Sequence, residues 1–186
     1  QILFGLFGEI VFKMGSVGIG TIWSFAGVGL VTGGVFAHWL GPRLTFRSYK
    51  RTISLCYLIH GASYVIFSQM EQFWAALLFI ALSRAAVAVS SVLNMTQLML
   101  HVHDDFRGRV FATLETLTWG VMMLSMMAAG GASEHYSPRT IGAWAGLLSS
   151  TTAIVWAIAN VRGRLPEPPV VGRSPEEVEV HGEPTV

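Results

Sequence analysis

Apolar residues in this chain gather in long runs separated by short polar connectors, and run length rather than amphipathic periodicity sets the first expectation. Residues 14–42 carry no Asp, Glu, Lys or Arg. As a helix rising 1.5 Å per residue this run reaches about 43 Å, longer than the roughly 30 Å hydrocarbon core of a bilayer. Further runs at 52–70, 72–100, 110–133 and 140–161 predict four more helices, hence a five-helix transmembrane domain over 14–162. Lipid offers no hydrogen bonds to a bare backbone, so such runs predict an all-α polytopic membrane protein.

The flanks read differently. Residues 1–13 are apolar but too short to span, and Glu9 interrupts them, so they are either the end of a missing helix or an interfacial segment. The odd helix count favours the former. Residues 163–186 are expected to form a disordered cytoplasmic tail, because five of the seven prolines and five of the eleven acidic residues lie from Leu165 onward.

Composition agrees with lipid as the solvent. Apolar residues make up 52% of the 186 and charged residues 12%, the latter about half the usual share of a soluble domain. The net charge of +1 provides no basic field for nucleic acid, and the single cysteine, Cys56, excludes an internal disulfide. Basic residues are strongly segregated. Arg43, Arg47, Lys50, Arg51, Arg107, Arg109, Arg162 and Arg164 fall on one side of the alternating spans, and only Lys13 and Arg139 on the other. The positive-inside rule then places the C-terminus in the cytoplasm. Within the first span Gly29, Gly33, Ala37 and Gly41 recur at every fourth position, a small-residue ridge that predicts a closely packed neighbour helix.

One connector carries a motif. Val102, Asp104, Arg107, Gly108, Arg109, Val110 and Ala112 match V-P-D-x-x-R-G-R-V-x-A, the loop between helices ten and eleven in the drug- and siderophore-efflux branch of the major facilitator superfamily, with His103 in the proline position. Gly34, Gly41 and Arg43 are similar to that family's G-x-x-x-D-R-x-G-R-R loop, but its aspartate is absent here. The chain therefore resembles the C-terminal half of such a transporter, about helices eight to twelve. The resemblance implies half of a helical bundle in a bacterial inner membrane, a small-molecule substrate and a partner N-terminal half outside this chain. It also implies solute export by proton antiport.

Candidate functional residues are those that lipid would exclude. Arg84 lies inside the third run, and a guanidinium there costs about 2.5–3.5 kcal/mol on insertion scales unless it faces protein or water. It is expected to point into the bundle, to bind an anionic group or to support helix structure. On the same helix Ser83, Ser90, Asn94, Gln97 and His101 share one face, as a substrate pathway or as interhelical hydrogen-bonding glue. Glu115 is a candidate proton-coupling carboxylate, against an ordinary acid near a helix start. Counting residues from the shared connector offsets it from Arg84 by about 18 Å along the helix axes, too far for an ion pair. Trp119, Met122 and Met126 extend its face, suited to apolar substrates or to plain packing. His60 shares the depth of Arg84 and is expected to be neutral and hydrogen-bonded. His101-x-His103 beside two aspartates is too sparse a donor set for a metal site. No catalytic or cofactor-binding motif is present, so neither enzyme chemistry nor a cofactor is expected. A non-transporting membrane scaffold, assembled through the glycine ridge, is the competing class.

The orientation is testable with a Cys56→Ala background. A cysteine at Tyr136 is expected to react with a membrane-impermeant maleimide on intact cells, and one at Ser48 only after permeabilisation. The opposite labelling pattern overturns the assigned sidedness.

Overall fold

A computed structural model of the chain describes residues 2–168. The tail expected to be disordered lies, from residue 169 onward, outside them. Among the described residues there is helix and no strand: α1 (Ile2–Leu6), which runs into a π-helical turn at Phe7–Val11, then α2 (Gly15–Leu40), α3 (Phe46–Gln69), α4 (Phe73–His101), α5 (Asp104–Ala132) and α6 (Pro138–Val161).

Local chemistry sets the boundaries. The chain reverses between the π turn and α2 through left-handed residues, Lys13 at φ 55° and Gly15 at φ 57°, a conformation that glycine adopts freely and lysine only under tertiary constraint. The Thr45 hydroxyl accepts from the Ser48 N–H at the start of α3, and Ser137 caps α6 in the same way, with Pro138 as its first residue. Such caps satisfy backbone donors that have no partner within the helix.

Among the described residues four helices are long and apolar enough to cross a membrane: α2 with its 3₁₀ extension (Gly15–Arg43), α4, α5 and α6. α3 has the same 24 residues as α6 but is too polar to join them on composition. Its position accounts for the difference from the five equivalent spans expected. The helices pack in a row, α2 on α4, α4 on α3, and α3 on α6. As an inner helix of that row, α3 directs polar side chains at protein: Ser63 and Ser68 are buried, and Tyr49 bonds to Asn94 of α4. A helix shielded on two sides can carry polar residues that a lipid-facing one cannot.

Two apolar clusters hold the row, one at each end. The first joins Phe67 of α3 and Leu77 and Ile80 of α4 to Leu3, Phe4 and Phe7. Phe4 and Phe7 are fully buried, so the N-terminal segment packs into the end of the bundle. The second cluster joins Ala37 of α2, Tyr49 and Ile53 of α3 and Val89 and Leu93 of α4.

Backbones approach closely at two seams. In the parallel α2–α4 pair Gly29 and Gly33 face the backbone of Ala81 and Ala85, and a Cβ built on Gly33 would lie 2.7 Å from Ala85 Cα. In the antiparallel α3–α6 pair a Cβ on Gly146 would lie 2.7 Å from the Gly61 carbonyl oxygen. α5 stands apart. It has no buried residue, touches α1, and borders a groove of about 770 Å³ with α6.

Gly33→Val and Gly146→Val are each expected to destabilise the bundle by about 1–3 kcal/mol through overpacking. Gly20→Ala, with nothing within 4 Å of its added methyl, is the control. Reversible unfolding in mixed micelles reads the difference, and equal stability of all three variants contradicts the seams.

Candidate functional site

Arg84 sits near the middle of α4, between the residues that this helix gives to the two apolar clusters. It is half-buried, with its guanidinium carbon 4.9 Å from the centroid of the Phe4 ring. That ring face attracts a cation, more strongly where water is excluded. Among the described residues no carboxylate lies within ion-pair distance, and no hydrogen-bond acceptor receives its five N–H groups. Arg84 is thus a membrane-depth cation stacked on an aromatic ring and otherwise unsatisfied.

One helical turn or less away, α4 is stitched to α3. His60 Nδ1 lies 2.7 Å from the Ser83 hydroxyl, which sits 3.3 Å from the His60 carbonyl oxygen. With Nδ1 protonated, the ring donates to the hydroxyl and the hydroxyl donates to the carbonyl, so both groups are satisfied without charge. Neutrality matters here, since a second cation beside Arg84 would repel it.

Two residues of the polar face of α4, Ser83 and Asn94, bond to α3. Ser83 and Ser90 are buried, and Ser90 donates to the Val87 carbonyl of its own helix. The Tyr49 hydroxyl donates to Asn94 Oδ1 at 2.6 Å, and His101 Nδ1 lies 2.7 Å from the Gln97 carbonyl oxygen. Interhelical and local hydrogen bonds therefore occupy Ser83, Ser90 and Asn94. Asn94, Gln97 and His101 also line a cavity of about 370 Å³ with Phe46, Tyr49 and Trp156, at the end of the row opposite the Phe4 plug. This part of the stripe borders open volume.

Glu115 and Trp119 are both exposed on α5, where the indole N–H donates to the carboxylate at 3.0 Å. Met122 and Met126 are half-buried on the same face. The structure does not bring Glu115 to Arg84, and the two belong to separate surfaces.

The connector motif has a clear local job. Arg107 pairs with Asp104 at 2.5 Å, donates from Nη2 to the Met99 carbonyl at 2.9 Å and from Nε to the Val102 carbonyl at 3.3 Å. One guanidinium thus closes the C-terminus of α4 and holds an acid at the N-terminus of α5, where the helix dipole favours it. Gly108 meets nothing within 4 Å, and Arg109 stacks 5.9 Å from Phe106. In the other motif Arg43 donates to the Trp39 carbonyl and lies 4.1 Å over the Trp39 ring, while Gly41 faces Leu93 and Gly34 faces open space. Among the described residues Arg43 has no carboxylate partner, and it serves as a cap for its own helix. Among the described residues there is no group of three or more His, Cys, Asp or Glu side chains that could hold a metal.

Several structural residues escaped the sequence reading. Tyr49 and Trp156 look like ordinary interfacial aromatics, yet one bonds Asn94 and the other donates to the Lys50 carbonyl at 3.0 Å. Gly142, Gly146 and Ser150 repeat at every fourth position, the same signal as the ridge on α2, and would have located the α3–α6 seam.

Helix content, span length and the unpaired polar groups satisfied between helices define an all-α polytopic membrane protein. No protein family, characterised protein or solved structure matches the chain.

A double-mutant cycle over Tyr49→Phe and Asn94→Ala is expected to give a coupling of about 0.6 kcal/mol, within a ceiling of about 1.7. Additive effects of the two changes on unfolding in bicelles remove that hydrogen bond from the account.

Proposed function

We propose that the chain is the C-terminal part of a secondary active transporter of the major facilitator type, exporting a small amphipathic solute, a drug or a siderophore-like compound, by alternating access with proton exchange. The carrying observation is Arg84, a half-buried guanidinium midway along an apolar helix with no carboxylate among the described residues in reach. Such a group persists in a membrane protein where water or an anionic partner reaches it, and a midplane solute path supplies both.

The connector motif supports the same family, with Arg107 clamping α4 to α5 as a cytoplasmic hinge would require. α5 supports it too, since a helix with no buried residue has surface to give to the second half of a transporter. Glu115, exposed on that helix, is the proton-coupling candidate. On this view the protein lies in a bacterial inner membrane with its C-terminus in the cytoplasm.

The alternative is a non-transporting scaffold whose glycine ridge on α2 mediates helix association; Gly29 and Gly33 of that ridge lie against α4.

Transport is tested by efflux of amphipathic dyes and ferric-chelator ligands from cells expressing the protein together with its upstream helices. Collapse of the proton gradient is expected to stop efflux, and Arg84→Ala to slow it about tenfold or more, equivalent to roughly 1.4 kcal/mol in the transport barrier. Glu115→Gln is expected to uncouple it from the gradient. Unchanged, proton-dependent efflux in both variants sinks the assigned roles.

A further inference from the structure

The start of α3 places charge where a helix alone does not favour it. Arg47, Lys50 and Arg51 occupy its first two turns, and no acidic residue stands in the first turn to oppose them. Cations at a helix N-terminus meet the positive end of the dipole, so the three residues repel both the helix end and one another. An anion bound there relieves all of these contacts together.

A groove is already formed at this place. Arg47, Lys50 and Arg51 line about 580 Å³ of open volume with Asn160, Leu165 and Glu167. Lys50 is fixed in it, donating to the Leu165 carbonyl at 2.8 Å and lying 5.0 Å over the Phe46 ring. Arg47 and Arg51 are exposed, and neither forms an ion pair among the described residues, Glu167 included. One carboxylate against three cations leaves the groove positive.

What lies beside the cations identifies the anion. Arg47, Arg51, Leu55 and Leu58 follow one another at steps of four, four and three, and so share a face of α3. Leu55 and Leu58 are 54% and 50% exposed. This face is therefore cationic at the helix start and apolar for the next two turns into the span. A free phosphate needs only the first part, whereas a phospholipid needs both, with its phosphate at the arginines and an acyl chain along the leucines.

We infer that the groove at the start of α3 binds an anionic phospholipid, its phosphate between Arg47 and Arg51 and its chain along Leu55 and Leu58. Asn160 at the end of α6 offers an amide to a headgroup hydroxyl. The inference depends on the membrane assignment and not on the transport proposal, so either can fail without the other.

The test uses the whole chain in nanodiscs of phosphatidylcholine, with spin-labelled phosphatidylglycerol or phosphatidylcholine as the probe. Phosphatidylglycerol is expected to be preferred by roughly fivefold for each engaged arginine. The preference is expected to vanish in Arg47→Gln/Arg51→Gln and to persist in Arg47→Lys/Arg51→Lys, which keeps the charge and controls for folding. It should also persist in Arg107→Gln/Arg109→Gln, which removes two cations from the same end of the bundle. An equal loss in that last variant makes the effect one of diffuse surface charge and overturns the site. Displacement of the lipid by millimolar inorganic phosphate makes it a soluble-anion site and overturns the lipid assignment. A preference that emerges only after removal of residues 169–186, which include Glu176, Glu177, Glu179 and Glu183, gives the groove to the chain's own acidic segment and also overturns it.

Discussion

Close backbone approach at small residues is the contact on which this bundle depends. Between helices in lipid the hydrophobic effect supplies little, because a leucine leaves one apolar surface for another, so association rests on dispersion and interhelical hydrogen bonds. Both grow steeply as axes converge. Gly29 and Gly33 let α2 settle on the backbone of Ala81 and Ala85, and Gly61 with Gly146 does the same for α3 and α6. Across the α3–α4 contact that lies between these seams, Tyr49 bonds Asn94 and His60 bonds Ser83, and the polar groups of α3 become structural instead of a liability in lipid.

The same row determines what is left unsatisfied. Once α3 takes up Ser83 and Asn94, Arg84 remains as the one membrane-depth cation of α4, supported on one side by the Phe4 ring. Its charge has no internal answer among the described residues, whereas His60, equally half-buried, is bonded to Ser83. α5 has no glycine seam, and it is held by the Arg107 clamp to the end of α4 and by its contact with α1. The cationic start of α3 is a third unsatisfied surface, at the membrane boundary. An ion at midplane, an uncovered helix and a basic groove thus sit at three separate places, each calling for a different kind of partner.

Much of this was written in the sequence. Charge-free runs of about the bilayer's length determined that the chain is helical and membrane-embedded, since in lipid no other open arrangement satisfies the backbone. The four-residue repeat of Gly29, Gly33 and Ala37 specified a close-packed face, and the isolation of Arg84 within a run marked it as the residue needing an explanation. Only the tertiary structure decided which helix meets which face. Run length and small-residue spacing are properties of one helix, whereas the choice of partner depends on how several helices share limited space. Hence Ser83 and Asn94 of the α4 stripe turned out to bond to α3, α3 carries its polar residues as an inner helix, and Leu3, Phe4 and Phe7 joined the core. Spacing along one helix can bring Ser83 and Asn94 to a common face, but whether that face meets tyrosine and histidine or an open path is settled by packing alone.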